Sequence, residues 1–178
     1  MRFLFNKELE FFFKKYFLSE KYLLKRRLER SIRNEDEKEI KLIKDLIKPN
    51  TDSLDIGVYR GVYSYEMAKY SNIVHSFEPN PVIFKFINKN LKEIKKNIIL
   101  YNCALSNKNK TMDLKIPIRN SKYDKNNFEE YYQMGKATIH TENEFLNYEK
   151  FEVNTKIIDD IDFLNEVSFI KIDVEGHE

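Results

Sequence analysis

The chain holds one cysteine, four glycines, four prolines and no tryptophan in 178 residues. A single thiol, Cys103, excludes an intramolecular disulfide, and no second cysteine or metal partner stands beside it. It reads as part of a buried strand in a protein of the reducing cytoplasm. Long apolar runs are also missing. Phe3, Leu4, Phe5, Leu9 and Phe11 to Phe13 are interrupted by Lys7, Glu8 and Glu10, too soon for a signal-peptide core or a membrane span. Nor is there an excess of one charge. The 31 Lys/Arg and 29 Asp/Glu leave a formal net charge of +2, which makes no general electrostatic case for a nucleic-acid partner.

What is present is a chain with 42% hydrophobic and 34% charged residues, enough for one domain with a core and too short for two comfortable ones. Its charge is unevenly placed. Residues 1–33 carry ten Lys/Arg against four Asp/Glu, so a basic arm precedes an acidic body. Residues 1–48 read as a helical extension and residues 49–178 as the principal domain. In the extension, Asn34 and Glu37 resemble a capping box, Ile40, Ile43, Leu46 and Ile47 form a stripe at helical spacing, and Pro49 marks the stop. The aromatic and basic segment before it reads as an amphipathic helix docked on the domain or on a second subunit of a homo-oligomer. Contact with a membrane surface is the alternative.

From Ser53 onward, strand and helix alternate. Ser53–Ile56, Ile73–Phe77 and Ile98–Cys103 are predicted strands, with helices from about Val62 to Tyr70 and from Pro81 to about Lys95 between them. That alternation implies α/β architecture, a doubly wound and mostly parallel Rossmann-like sheet with right-handed crossovers. Asn80 and Pro81 suit a helix N-cap and first turn, and Ile83, Phe86, Ile87, Leu91 and Ile94 supply the buried stripe. Thr111–Ile116, Ala137–Thr141 and Phe151–Thr155 are predicted short strands, with residues 119–133 a mobile polar insertion beside the active site. Asp159 and Asp160 open a short helix, and Phe169–Asp173 is a fourth parallel strand.

Two segments carry chemistry: Ser53-Leu54-Asp55-Ile56-Gly57-Val58-Tyr59-Arg60-Gly61 and Ser76-Phe77-Glu78-Pro79-Asn80-Pro81. In each, an apolar run ends in a carboxylate and breaks into a turn that starts a helix, as at the carboxyl ends of strands in an open parallel sheet. Glu78 stands about twenty residues past the glycine turn, where a ribose-binding acid belongs. Tyr59 and Val62 fill two of the three glycine positions of a dinucleotide fingerprint, so a pyrophosphate is poorly served. S-adenosylmethionine has no phosphate and carries a cation, and it needs the hydroxyl acceptors and negative charge that Asp55 and Glu78 offer. A capping or turn-stabilising role for Asp55 and a solvated strand-end role for Glu78 are the structural alternatives.

The order of these segments, with Asn102-Cys103-Ala104-Leu105-Ser106, Gly135-Lys136-Ala137-Thr138, Ile157-Ile158-Asp159-Asp160 and Phe169-Ile170-Lys171-Ile172-Asp173-Val174-Glu175-Gly176-His177-Glu178, closely resembles the FkbM family of S-adenosylmethionine-dependent O-methyltransferases. The resemblance runs from about residue 35 to the end. One departure is Val58-Tyr59-Arg60, where the family usually has Ala-Asn-x between its two motif glycines. The resemblance implies that Asp55 lies near the methionine end of the cofactor, that Gly57 and Gly61 allow the turn and close packing, and that Glu78 accepts from both ribose hydroxyls. Asn102 and Ala104 would line the adenine pocket, although an Asn at such a position also commonly closes a turn. Asp173 or His177 would take the proton of the acceptor hydroxyl, with Glu175 on the substrate side. Glu175 and His177 as caps of a following helix are the alternative. The spacing gives no complete ligand set, and no metal is expected.

The acceptor implied is a small hydroxylated molecule such as a sugar of a surface glycan or glycolipid. An amine methyltransferase acting on nucleic acid is disfavoured, because the Asn/Asp-Pro-Pro-aromatic motif is absent after the fourth strand. Relatives continue beyond the position of Glu178, so the chain reads as truncated after that strand, which would lie at a sheet edge. A non-catalytic remnant or partner-completed cofactor-binding module is the competing reading.

Overall fold

The computed structural model describes residues 18–34, 38–119, 131–139 and 147–174. A four-stranded parallel sheet organises them, built from β1 (Asp52–Ile56), β2 (Val74–Phe77), β3 (Ile98–Tyr101) and β7 (Val167–Ile172) in the order β3-β2-β1-β7. The chain runs outward from β1 to β2 and β3, then returns to the other side of β1, so direction reverses between β1 and β7. In such a sheet the crevice beyond the strands' carboxyl ends at that reversal is where ligands sit. The expected α/β parallel sheet is thus present, and among the described residues β7 stands at its edge.

Four α-helices among the described residues accompany the strands: α1 (Glu20–Asn34), α2 (Ile43–Leu46), α3 (Val62–Met67) and α4 (Pro81–Ile94). Leu24 and Leu28 of α1 join Ile83, Ile87 and Leu91 of α4 in one buried cluster with Val74, Ile98 and Leu100 of the sheet. The α4 stripe falls where its spacing indicates, with Phe86 and Ile94 at the margin of that cluster. Beneath α3 the sheet presents small polar residues instead. Ser64 Oγ donates to Asp55 Oδ2 at 2.5 Å and lies 2.9 Å from Ser76 Oγ, and Ser53 bonds Ser71. Hydroxyls here pair with one another, as buried polar groups must, and their small size lets α3 lie close to the strands.

The opposite face buries Leu54, Ile56, Phe77 and Cys103 under Leu105, Ile158, Ile161 and Phe163. Asp52 anchors the far end of that face, accepting from the Ile73 amide and Asn165 Nδ2 at 3.1 Å each and pairing with His75 Nε2 at 3.2 Å. His75 Nδ1 completes the chain to the Tyr101 hydroxyl, 2.9 Å away.

A second sheet has the order β4-β6-β5, with β4 (Ala104–Leu105) parallel to β6 (Tyr148–Lys156), and β5 (Lys110–Pro117) antiparallel to it. The predicted strand at 137–141 reduces, among the described residues, to one antiparallel bridge between Lys115 and Thr138, with residues 140 and 141 outside them. Two other expectations are corrected. Glu37, the partner in the expected capping box, lies outside the described residues, and Asn34 is the last residue of α1. The segment after it forms a 3-10 turn, Lys38–Leu42, running into the single turn of α2, so Ile40, Ile43 and Ile47 are buried while Leu46 is 52% exposed. The tighter 3-10 spacing shifts the stripe away from the 3.6-residue period. β3 stops at Tyr101, which leaves Cys103 in the connection to β4. Most of the 119–133 insertion and all of residues 1–17 lie outside the described residues.

Candidate functional site

Beyond the carboxyl ends of β1, β2 and β7 lies a cleft of about 750 Å³, open to solvent and mostly apolar. Its floor is Ile56, Gly57, Phe77 and Glu78; Cys103, Ala104 and Leu105 form one side and Asp173 and Val174 another. The cover comes from Leu114 on β5 and from Met134, Gly135, Ala137, Thr138 and Ile139.

Glu78 is the charged group at the centre. It follows β2 directly and is 5% exposed, and each carboxylate oxygen receives one backbone amide at 2.8 Å: Oε2 from Tyr59, in the turn after β1, and Oε1 from Asn80, at the start of α4. One lone pair on each oxygen remains for a ligand, so the geometry suits a pair of adjacent hydroxyls. Burial pushes its pKa up to about 7, against the two amide bonds, which favour the charged form. The buried Asp55 carboxylate raises it further, while Lys171 opposes the rise.

The turn after β1 is shaped by its glycines. Gly57 has φ +82°, and a Cβ there would lie 1.9 Å from the carbonyl oxygen of Asp173. Its hydrogen side chain therefore lets the β1 and β7 turns touch, and Gly57 also lines the cleft. Gly61, φ +81°, is the N-cap of α3, and a Cβ would meet Leu91 Cδ2 at 2.7 Å, so its packing is against α4 and not against a strand. Tyr59 lies between them at φ 50°, its amide bonded to Glu78, and it also lines the cleft.

Glu78, Gly57, Ala104 and Asp173 thus meet at one cleft, and three other expected residues stand behind it. Asp55 is fully buried, bonded to Ser64 and 3.5 Å from Lys171 Nζ, and is not among the lining residues. Alternation along β1 is the cause: Leu54 and Ile56 face one side, and Asp55 faces α3. Desolvation raises its pKa, and Lys171 and Ser64 counter the rise. Asn102 is exposed and donates through Nδ2 to the carbonyls of Glu78 at 2.9 Å and Pro79 at 3.2 Å. It closes the turn that carries Glu78. Gly61 is a packing position. Glu175 and His177 lie outside the described residues.

Sequence reasoning missed Cys103 as a wall residue, along with Leu114, Met134 and Ile139. Burial pushes the Cys103 thiol up, so it serves there as a neutral apolar surface. Met134 was signalled only by the neighbouring Gly135-Lys136-Ala137-Thr138 motif. Its sulfur accepts from Asn80 Nδ2 at 3.3 Å, which ties the cover to the start of α4.

Residues 55–178 match a family model described as the methyltransferase FkbM domain. No curated protein matches the chain. Among solved structures, a methyltransferase FkbM from Methylobacillus flagellatus KT is similar at 14% identity and TM-score 0.43, over 77% of this chain and 33% of that one. The 23S rRNA methyltransferase ErmE is similar at 27% identity and TM-score 0.33, over 38% of this chain and 28% of that one. The chain spans about a third or less of the length of each of these structures. With the family model covering most of its length, the chain belongs to the FkbM methyltransferase family.

Proposed function

We propose that the chain binds S-adenosylmethionine in the cleft beside Glu78 and transfers a methyl group to a hydroxyl of a small acceptor, a sugar of a surface glycan or glycolipid. The observation that carries this reading is the Glu78 carboxylate, held by two backbone amides in an apolar cleft with one acceptor position free on each oxygen. The residues present fit the cofactor. Glu78 matches a ribose diol, Ala104 and the apolar walls suit a purine, and carboxylates at Glu78 and Asp173 favour a cation where no N–H cradle for phosphate is required. When bound, that cofactor supplies an electrophilic methyl carbon.

The protein's part is then mostly positioning, because methyl transfer to an alcohol is an in-line displacement in a water-poor site. Ile83, Leu114, Met134 and Ile139 give the cleft apolar walls that hold water poorly. Asp173 lines the cleft with a carboxylate 66% exposed, so it can meet an acceptor hydroxyl and take its proton. His177 is the alternative base and Glu175 a further acceptor contact, both close in sequence to Asp173. The proposal includes a cytoplasmic location, homo-oligomer formation and contact of the basic N-terminal arm with a membrane surface. Among the described residues no helix is long and apolar enough to cross a membrane.

A second reading, a cofactor-binding module completed by a partner, is favoured by β7, which among the described residues stands at the sheet edge with Ile170 and Ile172 48% and 52% exposed. Radiolabelled methyl transfer to a panel of sugars and glycolipids separates the two. Label in a hydroxylated acceptor, lost in Glu78→Ala, supports the enzyme. Cofactor binding without transfer to any acceptor supports the module.

A further inference from the structure

Lys171, on β7 and in register with Asp55 of β1, places its ammonium where the two strand-end turns meet. Nζ donates to the carbonyl of Gly57 at 2.8 Å and stands 3.5 Å from Asp55 Oδ1 and 3.6 Å from Asp173 Oδ2. It also lies 5.0 Å from the centre of the Tyr63 ring. Its side chain is 13% exposed, between a carboxylate with no exposure and one 66% exposed. Asp55 Oδ1 takes no hydrogen bond, so the ammonium is its counter-charge rather than its donor. Two cleft-wall groups, the Gly57 turn and Asp173, therefore share one cation that does not itself line the cleft.

We propose that Lys171 is a positioning residue: it pins the Gly57 carbonyl and orients the Asp173 carboxylate, so that the β1 and β7 sides of the cofactor cleft keep one geometry. The inference rests on the proposed cofactor site. A merely structural role would end at Asp55, since a buried carboxylate without its cation is strongly unfavourable whatever the site does. Removing that carboxylate together with the ammonium distinguishes the two roles. In Asp55→Asn/Lys171→Met the buried charge is gone, but the Gly57 carbonyl and Asp173 still lack their partner.

The test compares Lys171→Met, Asp55→Asn/Lys171→Met and Lys171→Arg with the unmodified chain by amide hydrogen exchange and S-adenosylmethionine calorimetry. The amides of Gly57, Val58 and Gly61 are all hydrogen-bonded, so they report on the turn without any ligand. The expected result is exchange about tenfold faster at these amides and affinity about tenfold weaker in both Met variants, the scale of a lost charge-assisted hydrogen bond. Lys171→Arg should recover most of both. Should Lys171→Met fail to fold, the double variant carries the measurement. Unchanged exchange and affinity in a folded double variant would overturn the proposal and leave Lys171 as a counter-ion only. If the unmodified chain binds no cofactor, the proposed function fails, and exchange at the Gly57 turn alone decides the role of Lys171.

Discussion

Glu78 combines opposed demands at one residue. Its raised pKa means that ionisation is opposed in the folded state, so the folded chain holds the extra proton between the ordinary value of 4.5 and about 7. Stability should therefore fall as pH rises through that window, by roughly 3 kcal/mol in all, and level off above it. Cofactor affinity should move the other way, rising as the carboxylate forms. Denaturant unfolding at pH 5 and pH 8 checks the first point: the drop seen in the unmodified chain should be much reduced in Glu78→Gln. The glycines give a second pair of expectations. Gly57→Ala combines φ +82° with a 1.9 Å encounter with backbone, and should destabilise by well over about 3 kcal/mol. Gly61→Ala meets the flexible end of Leu91, and should cost about 1–2 kcal/mol, again read by denaturant unfolding. At this scale the place of Glu78 was legible: an acid at a strand end, about twenty residues past the glycine turn, falls in the cleft and not in solvent. The turn-closing role of Asn102 was one of two readings its position allowed, and the burial of Asp55 against Ser64 and Lys171 was not read, since spacing alone does not reveal which side of a strand end faces the ligand.

Among the elements, α4 was the most legible, with Asn80 accepting from the amides of Val82 at 3.0 Å and Ile83 at 3.4 Å and Pro81 in the first turn. Asn80→Ala should cost about 1 kcal/mol in a thermal melt while leaving Glu78 its backbone amide donor. The helix expected over residues 34–48 was misread because Ile40, Ile43 and Ile47 satisfy both a helical stripe and a 3-10 turn followed by a single α turn. β7 shows a different limit. A fourth parallel strand was expected there, yet Ile170 and Ile172, in register with the buried Leu54 and Ile56, are half-exposed. An apolar strand at a sheet edge, as β7 is among the described residues, favours association. Ile172→Lys should reduce light scattering at high protein concentration and change unfolding free energy by no more than about 0.5 kcal/mol.

At the scale of the molecule, the reversal of strand order between β1 and β7 puts Gly57, Glu78 and Asp173 at one cleft, although they are far apart in the chain. That convergence was legible from the strand and helix alternation, because right-handed crossovers leave few ways to arrange the sheet. The cover of the cleft was not. Leu114 sits on a strand that its alternation does predict, but nothing local to it, or to the connection that carries Met134 and Ile139, says that these residues close over the strand ends of the first sheet. The most direct measurement is calorimetric titration of the purified chain with S-adenosylmethionine at pH 8, with Glu78→Ala as control and NAD as the competing ligand. Binding that Glu78→Ala abolishes, with no response to NAD, is the expected result. A folded chain that gives no heat, or one whose affinity survives the loss of Glu78, would contradict the cofactor site.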